Sequence, residues 1–199
     1  MLKISEITIS ELAPISFELA AGECLGVVGE SGCGKTRLLR AIADMDEVAG
    51  QVCVDDLCRE GVSGADWRKQ VALLPAESQW WFDTIGPHFS DDVDFASPDF
   101  ISLGFGEGVL NWSISRCSSG EKQRLSILRM LANKPRVLLL DEPTANLDAE
   151  NTRKVEVLIA NYLRDHNAAA VWVTHNQDQL KRVASNRYFD FSESAMVAI

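Results

Sequence analysis

The chain has 199 residues, 46% of them hydrophobic and 24% charged, which is the composition of a globular domain large enough to bury a core. A formal net charge of −10 argues against a nucleic-acid-binding protein, and no apolar run is long enough to span a bilayer. The five cysteines are an odd number without a CxxC pair, so we expect free thiols and a reducing, cytoplasmic compartment.

The first 80 residues predict several strands and one helix. The segments "LKISEITI" and "PISFEL" alternate apolar and polar residues, as half-exposed strands do, whereas "CLGVVG" is typical of a strand buried in a sheet. Apolar residues at helical spacing follow Lys35, and "QVCVDD" and "QVALLP" predict two further strands.

A weaker pattern with many aromatic and turn residues follows from Asp83 to Arg116, and we interpret it as a helical insert. Regular alternation then returns. "SSGEKQRLSILRMLANKP" predicts a helix stopped by Pro135, and "RVLLLDEP" and "AAAVWVTH" predict buried strands on either side of an amphipathic helix. A short helix and a terminal strand complete an α/β pattern with a mostly parallel core sheet.

Residues 29–36 match the phosphate-binding loop G-x-x-x-x-G-K-[ST] between a predicted strand and a predicted helix. Without Cβ atoms, the glycines let successive amide N–H groups point at an anion, and the helix N-terminus adds a positive dipole end. Lys35 is expected to reach the β- and γ-phosphates, and the Thr36 hydroxyl to bind Mg²⁺. The sequence thus predicts a nucleoside triphosphate held by Gly29, Glu30, Ser31, Gly32, Cys33, Gly34, Lys35 and Thr36.

Two acids end the strand "VLLLDEP", at the edge where α/β sheets bind ligands. We expect Asp141 to hold Mg²⁺ and Glu142 to orient and deprotonate the attacking water. A strand can also end in acids before a proline turn without any chemistry, and the phosphate-binding loop upstream is what favours the catalytic interpretation.

Other segments have plainer interpretations from their residues alone. Ser118 and Glu121 form a capping box that would start a helix, with Gly120 leaving room for an anion. Asp148 suits the first position of its helix, and His175 ends a buried strand.

The order of these motifs resembles that of the ATP-binding cassette (ABC) ATPases from Leu2 to Phe191. "CSSGEKQR" resembles the signature motif L-S-G-G-Q-x-Q-R, "TANLD" the D-loop and "VTHN" the switch histidine. The resemblance implies a P-loop NTPase fold with an N-terminal antiparallel β region and a small helical subdomain. It also implies that His175 contacts the γ-phosphate, with Lys35 and Glu142 as its catalytic partners.

For the ABC family, the resemblance implies a head-to-tail homodimer or pseudo-dimer that closes on two Mg-ATP. The residues acting in trans would be Ser118, Ser119, Gly120, Glu121 and Asp148. Residues 1–199 would form one domain, with an ATP-binding core of 1–82 and 117–199 and a helical subdomain of 83–116.

Three features depart from the family pattern. Ala76 stands where a glutamine usually contacts Mg²⁺ and water, with Glu77 and Gln79 nearby as substitutes. The N-terminal segment lacks an aromatic residue to stack on adenine, because Phe17 lies too close to the loop. Ser119 replaces a glycine and Glu121 a glutamine, both small changes.

Two classes of function fit such an ATPase. The first is the ATP-binding subunit of a membrane transporter, peripheral on the inner face of the membrane. The insert's aromatic residues would then form a groove for an integral membrane subunit. Among transporters, the sequence most resembles the ATP-binding subunits of bacterial iron-export systems. The alternatives are a soluble ABC ATPase in DNA repair or on ribosomes, or a degenerate cassette without efficient hydrolysis. The acidic charge and the lack of coiled-coil inserts favour the transporter. The alternative for the insert's aromatic residues is a small core of its own, which some of them are expected to form. The seven aromatic residues are Trp80, Trp81, Phe82, Phe89, Phe95, Phe100 and Phe105.

Overall fold

A computed structural model describes residues 1–9, 13–185, 187–192 and 195–198, and it confirms the predicted α/β fold. The strands are β1 (Leu2–Ile7), β2 (Ile15–Leu19), β3 (Cys24–Val28), β4 (Gln51–Val54), β5 (Leu57–Cys58), β6 (Val71–Leu74), β7 (Val137–Asp141), β8 (Ala169–Val173), β9 (Arg187–Asp190) and β10 (Ala195–Ala198). The helices are α1 (Lys35–Ile42), α2 (Gly64–Gln70), α3 (Pro98–Ser102), α4 (Ser119–Ala132), α5 (Ala149–Asp165) and α6 (Gln177–Val183).

The larger sheet has the strand order β10-β9-β3-β8-β7-β6. Its strands are parallel except β10, which runs antiparallel to β9. Every residue of β3, β7 and β8 is buried, because helices cover both faces, and this explains why these strands are continuous apolar runs.

Alternate residues of β7 divide the core between two faces. Leu139 packs in one cluster with Leu38 and Ile42 of α1. Leu138 and Leu140 point to the opposite face and belong to a second cluster with residues of α4, α5 and the insert. The parallel sheet is therefore a central layer between helices, as its sequence predicts.

The smaller sheet is antiparallel, with the order β2-β1-β4-β5. In β1 and β2 buried and exposed residues alternate, since one face of this sheet packs on the core and the other meets water. The predicted N-terminal antiparallel region is confirmed, and the short strand β5 extends it.

The expectation of free thiols is wrong for two of the five cysteines. Cys53 and Cys58 form a disulfide, whereas Cys24, Cys33 and Cys117 are free. Cys53 lies directly opposite Cys58 in the β4–β5 ladder, with their Cα atoms 4.0 Å apart. A tight hairpin brings the two thiols together, although their spacing in sequence matches no familiar cysteine pair.

Residues 83–116 form mostly short helical turns. The five-residue α3 is the α-helix of this segment, and 3₁₀ turns occupy Gly86–His88, Glu107–Asn111 and Ile114–Arg116. Of the seven aromatic residues expected to form a groove, Phe95, Phe100 and Phe105 are buried in the core. The described residues contain no helix long and apolar enough to cross a bilayer.

Candidate functional site

Four neighbouring strands deliver their carboxyl ends to one edge of the parallel sheet. β3, β8, β7 and β6 are adjacent in that order, so the loops that follow them meet. A cavity of about 390 Å³ lies between these loops. It is lined by Ser31, Gly32, Gly34, Lys35, Thr36, Arg37, Ala76, Asp141, Glu142, Val173 and His175. We refer to it as the phosphate cleft.

The loop between β3 and α1 depends on two glycine conformations. Gly34 precedes α1 with a φ of +117°, which side chains with a Cβ rarely adopt. A Cβ on Gly29 would lie 2.8 Å from the Phe191 Cβ and 2.9 Å from the Cys33 Sγ. Only glycine therefore lets the chain fold back over the start of α1 and direct its amides into the cleft.

Lys35 is 7% exposed, and its ammonium donates hydrogen bonds to the carbonyl oxygens of Gly29 (2.8 Å) and Glu30 (2.7 Å). These contacts hold a buried cation within the loop. A triphosphate would offer charged oxygens in place of carbonyls, and such bonds are stronger. Glu30 thus contributes its backbone, and its side chain does not line the cleft.

The Thr36 hydroxyl donates a hydrogen bond of 2.8 Å to Asp141 Oδ2. A hydroxyl and a carboxylate are hard oxygen donors that suit Mg²⁺, which usually also binds water and substrate phosphates. The described residues contain no cluster of three His, Cys, Asp or Glu that could hold a metal. The donor set thus fits a Mg²⁺ completed by phosphate oxygens and water.

Glu142 and His175 face each other across the ends of β7 and β8. His175 Nε2 lies 3.1 Å from Glu142 Oε1, and this carboxylate oxygen is buried without a hydrogen bond. Burial raises the pKa of Glu142, an effect partly offset by the nearby His175 and reinforced by Asp141. Glu142 also has a φ of +48°, an uncommon conformation that is often found at functional sites. A buried carboxylate with a raised pKa is suited to accept a proton from water.

The residues expected to act in trans do not line the phosphate cleft. Ser118 caps α4 by accepting a hydrogen bond from the Glu121 amide (3.2 Å), and Glu121 accepts one from the Ser118 amide (2.8 Å). Asp148 similarly caps α5 by accepting from the Asn151 amide. A Cβ on Gly120 would lie 3.1 Å from the Asn146 carbonyl oxygen, so the signature segment packs closely on the D-loop segment. These residues form a second, separate surface.

Ala76 lines the phosphate cleft, whereas Glu77 and Gln79 do not. The Gln79 carbonyl oxygen instead accepts two hydrogen bonds of 3.1 Å from the Arg129 guanidinium. The cleft therefore has a methyl group where a polar side chain could contact Mg²⁺ or water.

We predict that Ala76→Gln raises the turnover of MgATP several-fold, because an amide at this position would orient the water beside Glu142. The measurement is steady-state phosphate release, with Ala65→Gln, on α2 and outside the cleft, as the matched control. An unchanged turnover in Ala76→Gln would show that this position does not limit hydrolysis.

The base of the nucleotide has no aromatic partner among the described residues that line the cleft. Phe17 is buried in the core and cannot stack on a base. Residues 10–12 of the N-terminal segment lie outside the described residues.

Since stacking contributes about 1–3 kcal/mol per base elsewhere, we predict that the affinities for GTP and ATP differ by no more than roughly tenfold. A competition assay in which GTP fails to displace ATP at a hundredfold excess would contradict this.

Arg37 also lines the phosphate cleft and was not predicted from the sequence. Its position directly after Thr36 could have indicated that it lines the cleft, since the first turn of α1 faces the loop.

Comparisons with known proteins agree with this geometry. Residues 12–145 match the sequence model of a family described as "ABC transporter". The chain is 35% identical over 176 residues to the probable iron export ATP-binding protein FetA of Escherichia coli, covering 83% of this chain and 78% of the relative. It is 34% identical over 166 residues to the aliphatic sulfonates import ATP-binding protein SsuB 2 of Pseudomonas savastanoi, covering 83% of this chain and 59% of that protein.

Solved structures share the fold at low sequence identity. A dimeric ATP-binding cassette in a post-hydrolysis state with ADP and Pi superposes with a TM-score of 0.83 at 20% identity, over 100% of this chain and 98% of that chain. An ATP-binding subunit of an ABC transporter gives a TM-score of 0.87 at 17% identity, over 100% and 90% of the two chains.

Proposed function

The chain belongs to the ABC transporter family of ATPases, and we propose that it is the ATP-binding and ATP-hydrolysing subunit of a membrane ABC transporter. The observation that carries this proposal is the meeting of the phosphate-binding loop, Asp141, Glu142 and His175 on adjacent strand ends. The chain would work on the cytoplasmic face of the membrane.

We assign the steps of hydrolysis to residues of the phosphate cleft. Amides of residues 29–36 bind the phosphates, and Lys35 turns from its carbonyl partners to the β- and γ-phosphates. Thr36 and Asp141 would hold Mg²⁺, which would supply positive charge to the phosphate oxygens. Glu142 accepts a proton from the attacking water, and His175 contacts the γ-phosphate on the other side of that carboxylate.

The separate signature surface supports a head-to-tail dimer. The phosphate cleft is open, and its walls come from strand ends of a single subunit. The capped start of α4 is a helix N-terminus, a position that favours anions, and none of its residues lines the cleft of its own chain. A second copy, turned by a two-fold axis, would place that surface over the γ-phosphate, with Asp148 at the interface.

A second groove supports docking of a membrane subunit. We define the subdomain groove as the cavity of about 790 Å³ between α2, β6, the insert and α4. Trp81, which is 64% exposed, lies at its edge, with the Arg129 guanidinium 4.8 Å from its ring. Arg68, Lys69, Arg129 and Lys134 line the groove, although the whole chain is acidic. We propose that it receives a helix of the membrane subunit that carries both apolar and acidic side chains.

His88 fixes the aromatic edge of this groove. Its Nε2 accepts hydrogen bonds from the amides of Trp81 (3.0 Å) and Phe82 (3.1 Å), so the ring must be neutral at this nitrogen. Burial lowers the pKa of His88, which keeps the ring neutral near pH 7.

The test is affinity purification of the full tagged chain from native membranes after mild detergent extraction. We expect integral membrane subunits to co-purify, and Trp81→Ala to lose them while Ile101→Ala, equally exposed on α3 outside the groove, retains them. Ribosomal or DNA-repair proteins in their place would contradict the transporter and favour the soluble alternative. Hydrolysis of MgATP by the purified chain would exclude the third possibility, a degenerate cassette without efficient hydrolysis.

The relatives differ in cargo, since one is named for iron export and the other for sulfonate import. Because a transported molecule contacts the membrane subunit, our proposal for this chain extends to the ATPase step and the docking of that subunit.

A further inference from the structure

A buried amide lies behind the two catalytic loops. Gln179, in the first turn of α6, is 3% exposed, and its backbone amide donates to the Asn176 side chain (3.0 Å), which caps the helix. The cap fixes the backbone position from which the Gln179 side chain extends. No sequence pattern marks this residue, because two of its partners, Thr144 and Glu156, are 35 and 23 residues away in the chain.

The Gln179 amide bonds to both loops that carry the catalytic pair. Its Oε1 accepts a hydrogen bond of 2.8 Å from the Thr174 hydroxyl, and its Nε2 donates one of 2.9 Å to the Thr144 hydroxyl. Both threonines are buried. Thr174 directly precedes His175, and Thr144 is two residues after Glu142. One side chain thus connects the end of β8 to the end of β7 behind the phosphate cleft.

The same amide is anchored to a rigid element. Gln179 Nε2 also donates to Glu156 Oε1 (3.0 Å) on α5, and both oxygens of Glu156 accept from the Arg182 guanidinium at 2.7 and 2.9 Å. The Glu156 side chain is 8% exposed, so this ion pair is held within the packing of α5 and α6. The network fixes the position of the Gln179 amide.

An apolar side chain of the same size would fill this position without the cost of burying an amide. Each polar atom of Gln179 contacts a catalytic loop or the α5 anchor, and a fully bonded buried network of this kind specifies one geometry. The two loops that Gln179 joins carry His175 and Glu142, whose Nε2 and Oε1 atoms lie 3.1 Å apart.

We propose that Gln179 is a positioning residue for hydrolysis. It holds the Thr174 and Thr144 loops together, so that Glu142 contacts the attacking water while His175 contacts the γ-phosphate of the same nucleotide. The inference rests on the roles proposed above for those two residues. Binding of the nucleotide by the loop after β3 does not pass through Gln179, because neither Gln179 nor the threonines line the phosphate cleft.

The test compares Gln179→Met with Leu180→Met in the full-length chain. Both change a buried residue of α6 to methionine, but Leu180 packs on the other side, against β3 and Ala184. We expect kcat for MgATP to fall about 10- to 100-fold in Gln179→Met, because small misplacements of catalytic groups have effects of this size, while KM changes less than twofold. Leu180→Met should keep the wild-type kcat to within about twofold.

A second pair of variants keeps the inference testable if Gln179→Met does not fold. Thr174→Val should lower kcat as much as Gln179→Met does. Thr174→Ser retains the hydroxyl and should have a kcat close to that of the wild type. Where the double variant Gln179→Met, Thr174→Val can be made, its kcat should be no lower than that of either single variant, since both break one network.

Equal kcat in Gln179→Met and Leu180→Met, or in Thr174→Val and Thr174→Ser, would overturn the inference while leaving the proposed function intact. A wild-type chain that binds MgATP but never hydrolyses it would overturn both.

Discussion

Replacing Glu142 with glutamine is expected to lower kcat for MgATP hydrolysis by about 100- to 10,000-fold, the range that a positioned general base contributes. The side chain keeps its size, so the affinity for MgATP should change little. Steady-state phosphate release measures kcat, and calorimetry at equilibrium measures binding. Glu150→Gln, an exposed acid in the first turn of α5, is the matched control and should keep full activity.

The pH dependence of kcat follows from the raised pKa of Glu142. Burial favours the protonated acid, and only the ionised carboxylate can accept a proton from water. The wild-type kcat should therefore rise with pH through a pKa above that of an ordinary glutamate, and the residual activity of Glu142→Gln should lack this rise. Wild-type kcat in Glu142→Gln would show that another group activates the water.

Replacing Lys35 with methionine is expected to raise the dissociation constant for MgATP about 10- to 100-fold. Methionine keeps most of the buried stem but removes the ammonium, and a hydrogen bond to a charged group contributes about 1.5–3 kcal/mol. Isothermal titration with MgATP measures the change. Hydrolysis should fall as well, because the γ-phosphate loses a stabilising cation.

Lys154→Met is the matched control for Lys35→Met, since Lys154 is a partly exposed lysine on α5 that pairs with Glu150. Its affinity for MgATP should equal that of the wild type. A Lys35→Met variant that binds MgATP with wild-type affinity would contradict the placement of the phosphates against this lysine.

The parts of the site that the sequence predicted are those set by local geometry. The glycine spacing from Gly29 to Gly34 is imposed by backbone conformations within a few residues, so it is visible without the fold. Asp141, Glu142 and His175 end apolar runs, and parallel strands bring such ends to one edge. Their roles stay predictions until the variants are measured.

Features that depend on how segments pair in the fold were missed. The disulfide needs the register of β4 and β5, and β5 is too short to show a pattern. Gln179 meets Thr144 35 residues away, which no periodicity signals. The insert is helical as predicted, but the sequence did not show that its helices are short or that Phe95, Phe100 and Phe105 pack in a cluster shared with α4 and α5.

The most direct measurement is a crystal structure of Glu142→Gln grown with MgATP. We expect the triphosphate within hydrogen-bond distance of the amides of residues 31–36, with the Lys35 ammonium moved from the Gly29 and Glu30 carbonyls onto phosphate oxygens. A loop without nucleotide at millimolar MgATP, and Lys35 still bonded to those carbonyls, would contradict the account.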